Sequence, residues 1–230
     1  LAVINPPAGE WVDEDKVRML FKQAGLANWT FEPNDGIHLR ERMYALMDDI
    51  QHVLQANAEA PLVLPVDQYF NVKGIGLVAI GYVQSGKVSV HDEVLLLPAN
   101  GTGNAKSLQV MDDDVEVATA GDRVGLALRN AKEEHLTGST IIVHPPVEDK
   151  RANVSIPLAV EQHARSSVKL DVSPFQKRVL APGDVVHASV DLQFVVGRVV
   201  EATVGHAVVD WAHPLFIRQD YPPSVWIARV

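Results

Sequence analysis

The chain has 230 residues, 47% apolar and 21% charged, which predicts one or two folded domains and excludes a fully disordered chain. It has no cysteine, which removes disulfides, thiol nucleophiles and cysteine-held metal clusters. Acidic residues outnumber basic ones 29 to 20, for a net charge of −9, which argues against a general polyanion binder but leaves room for a local basic groove.

Leu1–Ile4 is a short apolar run that predicts a buried strand. It lacks the basic start and long apolar centre of a signal peptide. Leu1 in place of Met leads us to expect a processed chain or a piece of a longer one. Asp13 is the expected cap of a first helix carrying Val17, Leu20, Phe21 and Ala24 at helical spacing, with Gly25 as its stop. A second strand is expected over 28–31 and a turn at Asn34-Asp35-Gly36. A second helix then carries Ile37, Leu39, Met43, Leu46, Met47 and Ile50, and its tail runs into a linker over 51–60. Strand, helix, strand, helix is a partial α/β segment.

From Pro61 the texture changes to short Val, Ile and Leu runs bounded by Gly, Asp, Asn or Pro. Strands are expected over 62–66, 76–84, 93–97, 106–111, 123–129 and 140–143, the pattern of an antiparallel barrel. Pro145-Pro146 ends that unit, and Pro145–Lys150 is a candidate hinge. Further strands are expected over 154–160, 167–172, 185–192, 198–204, 206–211, 215–218 and 225–230. The fold class is therefore mainly β: two antiparallel barrels behind a partial α/β segment, with domains 1–56, 57–146 and 147–230. No run approaches the ~18 apolar residues of a membrane helix, so no membrane association is expected.

Motifs that carry chemistry are few in the chain. The phosphate-loop pattern GxxxxGK[ST] is absent, and Gly74, Gly76 and Gly81 sit in strand and turn texture. Nine histidines are scattered without HExxH spacing, and no metal site is expected. Asp112-Asp113-Asp114 with Glu116 reads either as a hard-cation site or as a solvated acidic turn. No catalytic residue is assigned.

Leu64 to Pro146 nevertheless resembles domain II of the translational GTPases, the family of elongation factor Tu. The resemblance rests on Phe70, Gly74, Gly76, Gly81-Tyr82-Val83, Gly86-Lys87-Val88 and Asp92-Glu93-Val94. It continues through Ala120-Gly121-Asp122-Arg123-Val124-Gly125-Leu126, Glu134 and Gly138. His91 and Asn130 stand where the family has Gly. Phe216-Ile217-Arg218 resembles the close of domain III, whereas Pro214, Pro222 and Pro223 depart from it. At the front, only Asn5 matches the family's guanine-reading motif.

The resemblance implies an elongation factor that binds aminoacyl-tRNA and works on the ribosome, monomeric and cytoplasmic. It implies GTP and Mg²⁺ only for a parent with a full GTPase domain, and no cofactor for these residues. Carried over by position, Asp67, Gln68 and Phe70 fall around the aminoacyl end. Arg123 falls where the selenocysteine-specific factor SelB has Arg; a second SelB Arg corresponds to Gln68. Asp67 would accept from the α-ammonium, and Arg123 would favour an anionic or strongly polar side chain. Lys177, Arg178 and Arg218 are the expected tRNA backbone contacts. Plainer readings stand beside these: Phe70 as core, Asp67 as a strand-end turn residue, Arg123 as a surface arginine beside Asp122. The alternative function is a regulatory or protein-binding module that kept the barrels and lost GTP chemistry. An unrelated all-β enzyme has no motif in its favour.

Overall fold

A computed structural model of the chain describes residues 2–24, 26, 29–149, 151, 154–169, 179–203, 205–218 and 224–226. The expectations placed on Leu1, Gly25, Asn28, Lys177 and Arg178 lie outside the described residues. Two compact units result, Leu1–His52 with Asp171–Val179, and Val53–Leu170 with Leu180–Val230.

The first unit holds β1 (Ala2–Ile4), α1 (Glu14–Gln23), β2 (Phe31–Pro33) and most of α2 (Gly36–Ala58). β1 and β2 pair in parallel, Ala2 opposite Phe31 and Ile4 opposite Pro33. Asp13 caps α1 by accepting from the Lys16 N–H at 3.1 Å. Asp35 accepts from the Ile37 N–H at 2.9 Å, so the expected turn is the start of α2. Two expectations shift. β1 is half-exposed, Val3 by 45%, in a sheet that has one other strand among the described residues. β2 begins at Phe31, whose ring meets Trp29 edge-on at 4.8 Å. The tail of α2 runs through 51–58 and gives way to a turn at Glu59, as expected.

The second unit begins with β3 (Val63–Val72), β4 (Gly76–Tyr82), β5 (Lys87–Ser89), β6 (Glu93–Leu97) and β7 (Gly101–Val110). It continues with β8 (Asp113–Val115), β9 (Val117–Thr119), β10 (Arg123–Arg129) and β11 (Ile141–Val143). Six antiparallel strands close a barrel in the order β10-β4-β3-β11-β6-β7, with β7 returning to β10. Closure removes free edges from the ring. Period-two alternation sends Leu77, Ala79, Val94, Leu96, Val124 and Leu126 inward, each 5% exposed or less. The end of α2 docks on this barrel. The Gly86 N–H donates to the Asn57 carbonyl at 2.7 Å, and a Cβ on Gly86 would lie 2.5 Å from the Leu62 nitrogen. Only glycine fits there at φ +73°.

One turn recurs three times in the second unit. In Ser89-Val90-His91-Asp92, Thr119-Ala120-Gly121-Asp122 and Ala181-Pro182-Gly183-Asp184, the aspartate carboxylate accepts the first residue's N–H at 2.7, 2.7 and 2.8 Å. The aspartate N–H donates back to the first carbonyl at 3.1, 2.9 and 3.1 Å. The third position has φ +79°, +101° and +93°. Glycine is the unstrained choice there, and His91 takes that place in the first copy. The other departure from a family glycine, Asn130, also has positive φ, +63°, a conformation asparagine tolerates.

The acidic run is a hairpin. Met111 and Asp112, at φ +52° and +68°, link β7 to β8, and Asp114 accepts from Gln109 Nε2 at 2.9 Å. Among the described residues no three His, Asp or Glu side chains gather as a metal set.

Beyond Pro146 come β12 (Val147–Asp149), β13 (Val154–Ile156), β14 (Glu161–Lys169), β15 (Val185–Val190), β16 (Gln193–Thr203), β17 (His206–Ile217) and β18 (Ser224–Trp226). The last five pair antiparallel as β14-β17-β16-β15-β18. The two strands expected at 206–211 and 215–218 are one, β17. Pro214 is tolerated because the ladder with β14 skips from Asp210 to Leu215 at a bulge. Phe216 and Val160 join Val63, Leu97, Ile141 and Val143 in one buried cluster, so apolar packing spans the candidate hinge at Pro145–Lys150. The buried Gln193 amide mimics a strand. It accepts from the Phe216 N–H at 2.9 Å and donates to the Phe216 carbonyl at 2.7 Å. No helix among the described residues is long and apolar enough to cross a membrane.

Candidate functional site

The register of β3, β4 and β10 builds the site. Val66 lies opposite Gly81 and Gln68 opposite Ile80, so Asp67 is the extra residue of a bulge. A bulge turns a side chain out of the ladder. Across the sheet, Arg123 lies opposite Tyr82 and Gly125 opposite Ile80. Cross-strand partners share a face. Gln68 with Ile80 and Gly125, Phe70 with Val78, and Arg123 with Tyr82 therefore occupy the outer wall of the barrel.

Asp67 and Arg123 meet there, with Arg123 Nη2 3.6 Å from Asp67 Oδ2 and both side chains substantially exposed. The Arg123 guanidinium sits 5.8 Å from the Tyr82 ring centroid, within cation–π range. Phe70 is 41% exposed, so it is not a core residue. Asp67 is a bulge residue, not a strand-end turn. Asp122 is occupied by Thr119, through its N–H and hydroxyl, and Arg123 turns to Asp67 instead. The wall carries an acid, a cation and an aromatic ring in contact, Asp67, Arg123 and Tyr82, with the Gln68 amide and the Phe70 ring further along the same face. That combination suits binding by charge, hydrogen bond and stacking. Tyr82 was missed in the sequence; its signal is its place in Gly81-Tyr82-Val83, directly across from Arg123.

The remaining candidates lie elsewhere. Arg218 forks onto Asp191, with Nε to Oδ2 and Nη2 to Oδ1 both at 3.1 Å. Arg165 forms a bidentate pair with Asp210, whose carboxyl it holds below the usual carboxylate range. Arg198 Nη1 donates to the Gly183 carbonyl at 3.0 Å. All three arginines are thus engaged within the chain. In the first unit, Glu32 accepts from Thr30 Oγ1 at 2.8 Å and Arg42 Nε at 3.2 Å, and lies 2.6 Å from His38 Nε2. These contacts, His38 first, lower its pKa. This network had no sequence signal beyond the residue types.

Asn5, the residue that resembles the guanine-reading motif, is exposed just beyond β1 and is followed by Pro6 and Pro7.

Known proteins agree with the barrel. The family described as elongation factor Tu domain 2 matches residues 76–142. A selenocysteine-specific elongation factor of Methanocaldococcus jannaschii is 28% identical over 199 residues, covering 86% of this chain and 39% of that protein. Over most of its length the chain is thus similar to a selenocysteine-specific elongation factor, and over residues 76–142 to elongation factor Tu domain 2. An uncharacterized protein of the same organism is 28% identical to this chain over 187 residues, covering 81% of it and 54% of the relative. The crystal structure of a bacterial selenocysteine-specific elongation factor superposes with a TM-score of 0.73 at 21% identity, over 94% of this chain and 34% of that one. The chain thus spans about half the length, or less, of these relatives. The likeness in structure shows a shared fold.

Proposed function

We propose that this SelB-like chain holds the aminoacylated end of a tRNA for delivery to the ribosome in the cytoplasm. The observation that carries the reading is the Asp67–Arg123 pair at the β3 bulge, beside Tyr82 and on the same outer wall as Phe70. The pair is exposed and 3.6 Å apart, so a ligand with its own ammonium and polar side chain can replace each partner at little cost. Asp67 then accepts from the α-ammonium, Arg123 donates to the side chain, and an aromatic ring receives the terminal base. GTP hydrolysis forms no part of the proposal for these residues, and any nucleotide chemistry belongs to a longer parent.

The test is binding of charged against uncharged tRNA at moderate salt. Tighter binding of charged tRNA, with slower hydrolysis of its ester, supports the reading. Equal affinity for the two refutes it.

A second reading has its own observation. Arg218, the expected backbone contact that lies among the described residues, is held by Asp191, which leaves less cationic surface for RNA than the resemblance implies. A regulatory or protein-binding module on the same barrels fits that economy. It predicts no tRNA affinity above the background of an unrelated acidic protein.

A further inference from the structure

A second cavity lies away from the outer wall, where the residues after α2, the start of β6, the end of β11 and the β12–β13 hairpin converge. Its volume is about 540 Å³. That is in the range of small-ligand sites. Three carboxylates line it, Glu59, Asp92 and Glu93, with one histidine, His144. Asp92 Oδ2 already accepts from the Ser89 N–H and lies 3.2 Å from His144 Nε2. Glu59 and Glu93 make no side-chain hydrogen bond or ion pair among the described residues.

The rest of the lining is apolar. Val147 and Ile156, cross-strand partners, form one wall and are 44% and 48% exposed. Pro61, Pro145 and Pro157 form others. Proline has a fixed φ and no N–H, so these walls are preformed and poor in donors. An anion or an acceptor-rich ligand would find little to bind. A peptide would lose the reciprocal main-chain bonds that usually hold it. The lining asks for a ligand that brings its own donors, positive charge and a flexible alkyl body.

We propose that this cavity binds a linear aliphatic polyamine, its ammonium groups on Glu59, Glu93 and Asp92 and its methylenes on Val147 and Ile156. Pairing two uncompensated carboxylates supplies the charge term, and covering the exposed apolar pair supplies the hydrophobic one. The site does not depend on the tRNA reading, and its test contains no RNA.

The probe is spermidine, titrated into the 230-residue chain by calorimetry, with amide and methyl shifts followed by NMR. The expected result is one saturable site whose shifts centre on Ala60, Leu62, Val147 and Ile156. The Glu59→Gln/Glu93→Gln variant should bind about tenfold more weakly, since two surface-type ion pairs are lost. Its melting temperature should not change, because neither side chain has a partner among the described residues. Ile156→Ser should also weaken binding, whereas a loose counter-ion would not sense it. Unchanged affinity in either variant overturns the proposal. So does displacement of spermidine by an equal concentration of Mg²⁺, which would mark simple charge screening.

Discussion

Arg123→Ala separates a binding role from a structural one. Arg123 is half exposed and its contact with Asp67 is 3.6 Å. Exposed pairs of this kind are worth about 0–1 kcal/mol, so the variant should fold with nearly unchanged stability. A charge-assisted hydrogen bond from the guanidinium to an acidic aminoacyl group is worth about 1.5–3 kcal/mol, which is roughly tenfold or more in affinity. The assay compares tRNA charged with aspartate and with alanine, by equilibrium binding and by protection of the ester. Arg123→Ala should weaken aspartyl-tRNA about tenfold and alanyl-tRNA little. Part of any loss can come from Asp67, left unpaired beside the acidic group, so Asp67→Asn/Arg123→Ala is measured alongside. Equal losses for both charged tRNAs would refute the specificity argument. A large drop in melting temperature would show that the pair holds the fold together.

His91→Gly should stabilise the chain by about 0.5–1 kcal/mol in thermal or urea unfolding, because His91 occupies φ +79° where the sister turns use glycine. Asn130→Gly should change stability much less, since asparagine accepts φ +63°. Gly86→Ala should cost about 3 kcal/mol or more, combining positive φ with a Cβ 2.5 Å from the Leu62 nitrogen. Acid should loosen the first unit through Glu32. Its pKa is lowered by His38, Thr30 and Arg42, so its contribution is present above the ordinary carboxylate value of about 4.3 and is lost as pH falls through the depressed one. Trp29 fluorescence followed during acid titration should show this loss, and Glu32→Gln should remove that component.

The barrel was legible because its strands alternate and its turns use Gly and Asp at fixed places. The expected strands at 93–97 and 123–129 match β6 and β10 residue for residue. Strand ends elsewhere moved, since pairing extends a strand past its apolar run: β3 reaches Val72 through five exposed residues. The two glycine departures in the resemblance became intelligible only through φ, which sequence does not display. The Asp67 bulge was likewise invisible, because a bulge is a property of two strands in register. Tyr82 reached the site by the same register. The Glu32 network joins β2 to α2 by side chains at no motif spacing.

The same energetics redistribute the expected phosphate contacts. Arg218 is only 18% exposed and its partner Asp191 only 4%. Withdrawing Arg218 to meet a phosphate would strand a buried carboxylate, at about 3–5 kcal/mol. One charge-assisted contact returns about 1.5–3 kcal/mol, so the internal pair wins. Arg165 is different. Its pair with Asp210 is exposed on both sides, 62% and 46%, and water screens the loss when it opens. Arg165 is therefore the better phosphate contact of the two, although Arg218 carries the family resemblance. Arg165→Ala should leave the fold intact and reduce the dependence of log affinity for tRNA on log salt by about one phosphate's worth, roughly 0.9 for duplex. Arg218→Ala should instead lower stability by about 3–5 kcal/mol. An unchanged salt slope in Arg165→Ala, measured between low and moderate salt, would refute this ordering of the two arginines.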